Sequence, residues 1–213
     1  MAKLLESPIG VLIGKLGQVV GCKWKGIAVL RIKSASIANP QTDKQMEQRM
    51  KFKVTMRFLQ PMTQLLRIGW KNWAVGQTAF NAAMSYNVLN AIQGTYPNFT
   101  VAYPNALVSK GNLPPVLNQA AASTVAGAVL FTWTNNSDEV GAATTDTSVL
   151  VVYNQSKNQA VFFAGLAERA DATQAVTVPN SFSGDLVHCY MGFQSVDGFD
   201  LSNSKYAGAI TVA

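Results

Sequence analysis

Four groups of residues have the types and spacing that could do chemistry. Gly10 to Lys15 ("GVLIGK") places glycines beside a lysine, as in loops that cradle phosphate. His188-Cys189 sets a base next to a thiol. Asp185, Asp197 and Asp200 offer carboxylates near turns. Lys15, Lys23, Trp24, Lys25 and Arg31, followed by Arg49, Lys53 and Arg57, offer cations and an aromatic plane to a polyanion.

The first three groups fail on spacing. A nucleotide-binding loop needs four residues between its glycines and a Ser or Thr after the lysine, which holds magnesium. Here three residues separate Gly10 from Gly14, and Leu16 follows Lys15. His188, the only histidine, alternates with Cys189 along a strand pattern, so the two point to opposite faces and cannot pair for nucleophilic attack. That strand reading makes His188 a surface residue. The aspartates flank turns, where they cap backbone N–H groups, with calcium ligation the lesser option. No paired carboxylates suit acid–base work, and neither a CxxC pair nor a metal-ligand cluster is present. The chain is expected to be no enzyme, with no catalytic residues, no cofactor and no metal.

The basic group survives. Residues 1–75 hold 13 of the 17 lysines and arginines against three acids, a surplus of ten positive charges. Residues 76–213 hold four basic residues against eight acids, a deficit of four. Three outcomes stay open: a nucleic-acid surface, with Trp24 stacking on a base; a basic part that meets the acidic part of another copy; or a solvated face. If Trp24 instead belongs to the core, Lys23 and Lys25 face out and keep a strand soluble. Trp70 and Trp73, in "GWKNWAVG", are core residues or interface anchors, with core expected for at least one.

Specific elements must position these residues. In "QVVGCKWKGIAVLRIK", Val20, Cys22 and Trp24 share one face, and Ala28, Leu30 and Ile32 alternate against Val29, Arg31 and Lys33. A turn at Lys25-Gly26 makes this a hairpin. Gly14, Gly17 and Gly21 mark bends or close backbone approach. Asn39-Pro40 signals a turn, and Thr42 with Gln45 fits a capping box, so a helix begins near Asp43. Along it Met46, Met50 and Val54 recur as one stripe, and Arg49, Lys53 and Arg57 form another. Pro61 interrupts the helix and opens a second. A third runs from Thr78 to Ile92, closed by Gly94.

From about Phe99 the pattern becomes short runs rich in Val, Thr, Phe and Tyr, separated by Asn, Ser, Asp and Gly. From Leu113 the order suggests an immunoglobulin-like or fibronectin-III-like sandwich, with Trp133 ending an early core strand and Tyr190 where a tyrosine corner would sit. The expected fold is α+β: a basic N-terminal β-hairpin plus helices over residues 1–112, then an antiparallel β-sandwich over 113–213. Pro114-Pro115 marks the boundary.

Gly14-Lys15, Gly17, "VVG" at 19–21, "WKG" at 24–26 and Arg31 come in this order, followed by Thr42, Gln45, Gln48-Arg49, Lys51-Phe52 and Phe58-Leu59. Later come "SKGNLPPV" at 109–116 and "VHCYMGF … SNSKYAG". This series resembles a bacterial family of uncharacterised proteins of similar length, found in Bacteroidota and in phage-related contexts. The resemblance implies a basic glycine-rich head on an immunoglobulin-like tail, and no activity.

The totals set the remaining bounds. The chain has 213 residues, 48% hydrophobic and 13% charged, enough for a core and for a largely neutral surface suited to assembly. The opening "MAKLLESPIGVLIGKLG" does not read as a cleavable signal peptide, since Glu6 and Pro8 interrupt the apolar run and Lys15 ends it. Synthesis in the cytoplasm, with incorporation into a particle or surface assembly, is expected. No run supplies the roughly 20 apolar residues of a membrane span. Cys22 and Cys189 are expected to be free, buried thiols. The leading expectation is a non-enzymatic structural protein that assembles with copies of itself into a particle, filament or surface structure. A nucleic-acid-binding protein is the alternative. A carbohydrate- or surface-binding module, on the sandwich loops near Tyr153, Phe182 and Phe199, is the third reading.

Overall fold

The computed structural model describes residues 2–4, 12–33, 35, 36, 39 and 41–213. Gly10 of the phosphate-loop comparison and Pro40 of the Asn39-Pro40 turn lie outside them. The chain forms two compact units, residues 1–45 and 46–213. The expected division at 112 and 113 falls within the second.

The first unit is a four-stranded antiparallel sheet of β1 (Ala2–Leu4), β2 (Gly14–Leu16), β3 (Val19–Trp24) and β4 (Ile27–Ile32), in the order β1-β4-β3-β2. β3 and β4 join through Lys25 and Gly26, both at positive φ (45° and 85°). This mirror-image turn follows the twist of the strands it joins. A Cβ on Gly21 would lie 2.1 Å from the Leu12 carbonyl oxygen, so the chain passes over the sheet only because this position is glycine.

In the second unit, α1 (Asp43–Leu59) runs into a short 3₁₀ turn at Gln60–Met62, where Pro61 occupies the opening position, and then α2 (Thr63–Gly69). α3 (Ala79–Asn90) is capped by the Thr78 hydroxyl, which accepts from Asn81 N at 3.1 Å. Gly94 does not close this helix; it lies in the hairpin of β5 (Ile92–Thr95) and β6 (Asn98–Val101).

Seven further strands follow: β7 (Leu117–Ala122), β8 (Ala128–Thr134), β9 (Thr147–Asn154), β10 (Gln159–Glu168), β11 (Thr173–Thr177), β12 (Leu186–Gln194) and β13 (Lys205–Thr211). They form a three-stranded sheet, β11-β8-β7, and a four-stranded sheet, β10-β9-β12-β13, antiparallel throughout. Val129, Phe131 and Trp133 from one sheet pack on Leu150, Val152, Cys189, Met191 and Phe193 from the other. This is an immunoglobulin/fibronectin-III-like sandwich.

The four-stranded sheet is buried on its other face too. Phe58, Leu59, Leu65, Leu66, Ala83 and Val88 from the helices form a second core with Val149, Val151, Tyr153 and Tyr190. A sheet covered on both sides needs continuous apolar strands, as "VLVVY" and "VHCYMGF" are, rather than alternating ones. Each fully buried Phe or Leu contributes about 1.5–3 kcal/mol to this packing.

That second layer corrects two readings. His188 is buried, only 6% exposed, because the face opposite Cys189 meets protein instead of water. Tyr190 makes no local corner: its hydroxyl donates to the Tyr103 carbonyl at 3.0 Å, joining the sheet to the segment after β6.

Candidate functional site

In the N-terminal sheet, the register assigns residues to faces. Leu16 pairs with Val19 and Val19 with Ile32, giving an apolar row on one face. On the other, Lys15 pairs with Val20, Val20 with Arg31, and Trp24 with Ile27. Lys23 falls on the face opposite Trp24. Trp24 does not face inward: it is 53% exposed, while Leu16 is 64% and Ile32 75% exposed. Lys15, Lys23, Lys25 and Arg31 are exposed as well. Within this unit, among the described residues, no second layer of helix or sheet exists, and among residues 12–33 only Gly21 and Ala28 are buried. The same shortage of cover leaves Cys22 exposed, against the expectation of two buried thiols. Cys189 is free and buried, and burial pushes its thiol up to about 12.

On α1, Arg49, Lys53 and Arg57 all lie exposed, one per turn. Arg57 lines a cleft of about 250 Å³ together with Phe99, Tyr103, Tyr153 and Gln155. A second hollow of about 390 Å³, lined by Ser156 and Asp185, shares Arg57 and Gln155. Burial raises the Tyr103 and Tyr153 phenols, with Arg57 pulling the other way, so both keep their protons. The Tyr103 ring lies on His188, centroids 3.5 Å apart and planes at 15°. His188 Nδ1 and the Tyr206 hydroxyl share a hydrogen bond at 2.9 Å, and His188 Nε2 lies 3.5 Å from Gln155 Oε1. Burial lowers His188 to about 4, so the ring is uncharged near neutrality.

Trp70 is core, 2% exposed, whereas Trp73 is 41% exposed. Lys110 Nζ lies 4.0 Å from the Trp73 ring centroid and within 6 Å of Trp70 and Tyr86, so one face of Trp73 already carries a cation.

Two stretches far apart in sequence, "SKG" at 109–111 and "SNSK" at 202–205, meet in space. Ser204 Oγ accepts from Val108 N and Ser109 N at 2.9 and 3.2 Å. Ser109 Oγ donates to the Ser202 carbonyl, and Ser202 Oγ accepts from Phe193 N. A Cβ on Gly111 would fall 1.8 Å from the Leu201 carbonyl oxygen, so no larger residue permits this crossing. The junction ties the segment that follows the helices to the β12–β13 loop.

Of the aspartates, Asp197 caps a turn, accepting from Phe199 N at 2.9 Å and from the Ser195 hydroxyl, which holds its carboxyl below the usual range. Asp185 pairs with Lys157, which likewise holds it low. Arg169, fully buried, bonds Asp146 through Nε and Nη2 at 3.1 and 3.0 Å, Asn136 at 2.6 Å and the Pro114 carbonyl at 3.2 Å.

Sequence reasoning found Arg49, Lys53 and Arg57 but missed the aromatic cleft that Arg57 lines. Tyr103, Tyr153 and His188 come from three separate segments, and only the pairing of β9 with β12, which sets Tyr153 opposite His188, unites the last two. No helix among the described residues is long and apolar enough to cross a membrane.

The fold defines an α+β protein in which helices cover one sheet of a fibronectin-III-like sandwich. The chain belongs to the Family of unknown function (DUF6266), whose sequence profile matches residues 11–208. None of the curated proteins matches it. Among solved structures, the solution structure of the fn3 domain of human collagen alpha-1(XX) chain is similar to part of it. The identity is 14%, covering 48% of this chain and 88% of that one, with a TM-score of 0.37.

Proposed function

We propose that this is a non-enzymatic structural protein that assembles with copies of itself, its N-terminal sheet serving as the arm that docks on a neighbour. The observation that carries the proposal is the apolar row Leu16, Val19 and Ile32, with Leu16 and Ile32 exposed, on a sheet in which only Gly21 and Ala28 are buried among residues 12–33. A unit of 45 residues buries too little on its own to hold such a sheet in water, and a partner surface supplies what is missing.

Charge favours a second copy as that partner. Residues 1–45 carry seven basic residues against two acids, and residues 113–213 carry three against eight. Six of these acids sit at one end of the sandwich. Thr147 pairs with both Glu168 and Gln194, so the loops after β8, β10 and β12 lie together. They carry Asp138 and Glu139, Glu168 and Asp171, and Asp197 and Asp200, all exposed and none in an ion pair among the described residues. A basic arm docking on a neighbour's acidic loops is a head-to-tail contact, which generates rings or filaments rather than a closed dimer. That contact supports the reading of incorporation into a particle, filament or surface structure. Electron microscopy of the purified chain at low salt tests it: rings or filaments are expected, and uniformly dispersed single chains at high concentration would refute it.

A further inference from the structure

We infer that the cleft beside α1 is a binding site for single-stranded nucleic acid, holding one base among Phe99, Tyr103 and Tyr153 while Arg57, Lys53 and Arg49 track the phosphates. This goes beyond the assembly reading and uses a different surface.

Phe99, Tyr103, Tyr153 and the Arg57 guanidinium line the cleft; Phe99 and Tyr153 are buried, and Tyr103, half-buried with His188 on one face, presents the ring on which a base would stack. The cleft volume of about 250 Å³ lies below the roughly 300–1,000 Å³ of pockets for drug-sized ligands and suits one planar ring. The Tyr103 and Tyr153 phenols keep their protons, and His188 beneath Tyr103 is neutral, so the aromatic wall bears no charge of its own. Gln155 brings an amide that both donates and accepts, as the edge of a base requires. Outside, the next cations toward the start of α1 stand about 6 Å apart, four residues at 1.5 Å each. A cation track that leads to stacking aromatic rings is the arrangement by which proteins hold single strands without a sequence code. A neutral sugar would use the rings but leave the row of cations unexplained. The hairpin around Trp24 has an exposed ring and lysines, but Arg57 on α1 is the cation that lines a cleft together with aromatic residues, so the nucleic-acid surface is assigned to α1.

The test measures fluorescence anisotropy of a labelled thymidine 16-mer with the full chain at low salt, beside an abasic strand of the same length. The base-bearing strand is expected to bind at least tenfold tighter. Log affinity should fall against log salt with a slope of about −2, for three phosphate contacts on a single strand. Arg57→Glu, at an exposed position, should weaken binding at least tenfold with an unchanged unfolding midpoint, whereas Lys23→Glu should change it less than twofold. Equal binding of the abasic strand, or no effect of Arg57→Glu, would overturn the site, as would absence of binding at low salt. Competition by thymidine monophosphate at equal nucleotide concentration would overturn the strand in favour of a mononucleotide. Leu16→Asp with Ile32→Asp should leave this binding intact while dispersing the assembly, so the two proposals fail separately.

Discussion

His188 lies face to face with Tyr103, ring centroids 3.5 Å apart, and Nδ1 of the same imidazole is hydrogen-bonded to the Tyr206 hydroxyl. The stack joins strand β12 to the segment after β6, so the state of one imidazole bears on how the helical layer and the sandwich hold together.

That relationship predicts a pH dependence. Burial lowers His188 from 6.5 to about 4, so the unfolded chain binds the proton more readily than the folded one. The contribution of the neutral ring is fully present above pH 6.5 and is lost as pH falls toward 4. The loss reaches about 3 kcal/mol at most. Denaturant unfolding followed across this window should show the decline, and His188→Phe should flatten it. Asp185 and Asp197 are held below the usual carboxylate range and contribute their losses at lower pH.

Arg169 and Asp146 form the buried ion pair of the sandwich. Arg169→Met strands the Asp146 carboxylate and the Asn136 amide oxygen, and should cost about 3–5 kcal/mol. Adding Asp146→Leu removes the stranded charge and should recover at least half of the loss. Chemical denaturation of the single and double variants measures both steps.

Ser204 accepts two backbone N–H groups at the junction of "SKG" with "SNSK". Ser204→Ala leaves both donors buried without a partner, for a cost of about 2–4 kcal/mol. Hydrogen exchange at Val108 and Ser109 should accelerate in the variant more than exchange within β8, which reports opening of the junction ahead of the sandwich.

Strands β7 to β13 were legible because Val, Thr, Phe and Tyr runs alternate with Asn, Ser and Gly breaks. So were the boundaries near Asp43 and Pro61 and the basic stripe of α1, since each rests on a local signal. The position of His188 was not. Alternation along β12 correctly opposes it to Cys189, but a strand pattern cannot say whether the outer face meets water or helices. The clue was the unbroken apolar character of β9 and β12, which marks a sheet covered on both sides. Trp24 failed for the converse reason: its register was readable, yet burial requires a second layer that the described residues of the first unit do not supply. The cleft beside Arg57 draws Phe99, Tyr103 and Tyr153 from separate segments, and no local pattern in any of them announces the other two.

The central claim is that copies of this chain associate through the basic N-terminal sheet. Molar mass by light scattering across a concentration series, at low and high salt, tests it most directly. The account predicts multiples of the 22.8 kDa chain mass that grow with concentration and shrink with salt. It also predicts dispersal to single chains by Leu16→Asp with Ile32→Asp, with the unfolding midpoint of residues 46–213 unchanged. A mass of one chain at every concentration at low salt, or multimers indifferent to that double substitution, would contradict it.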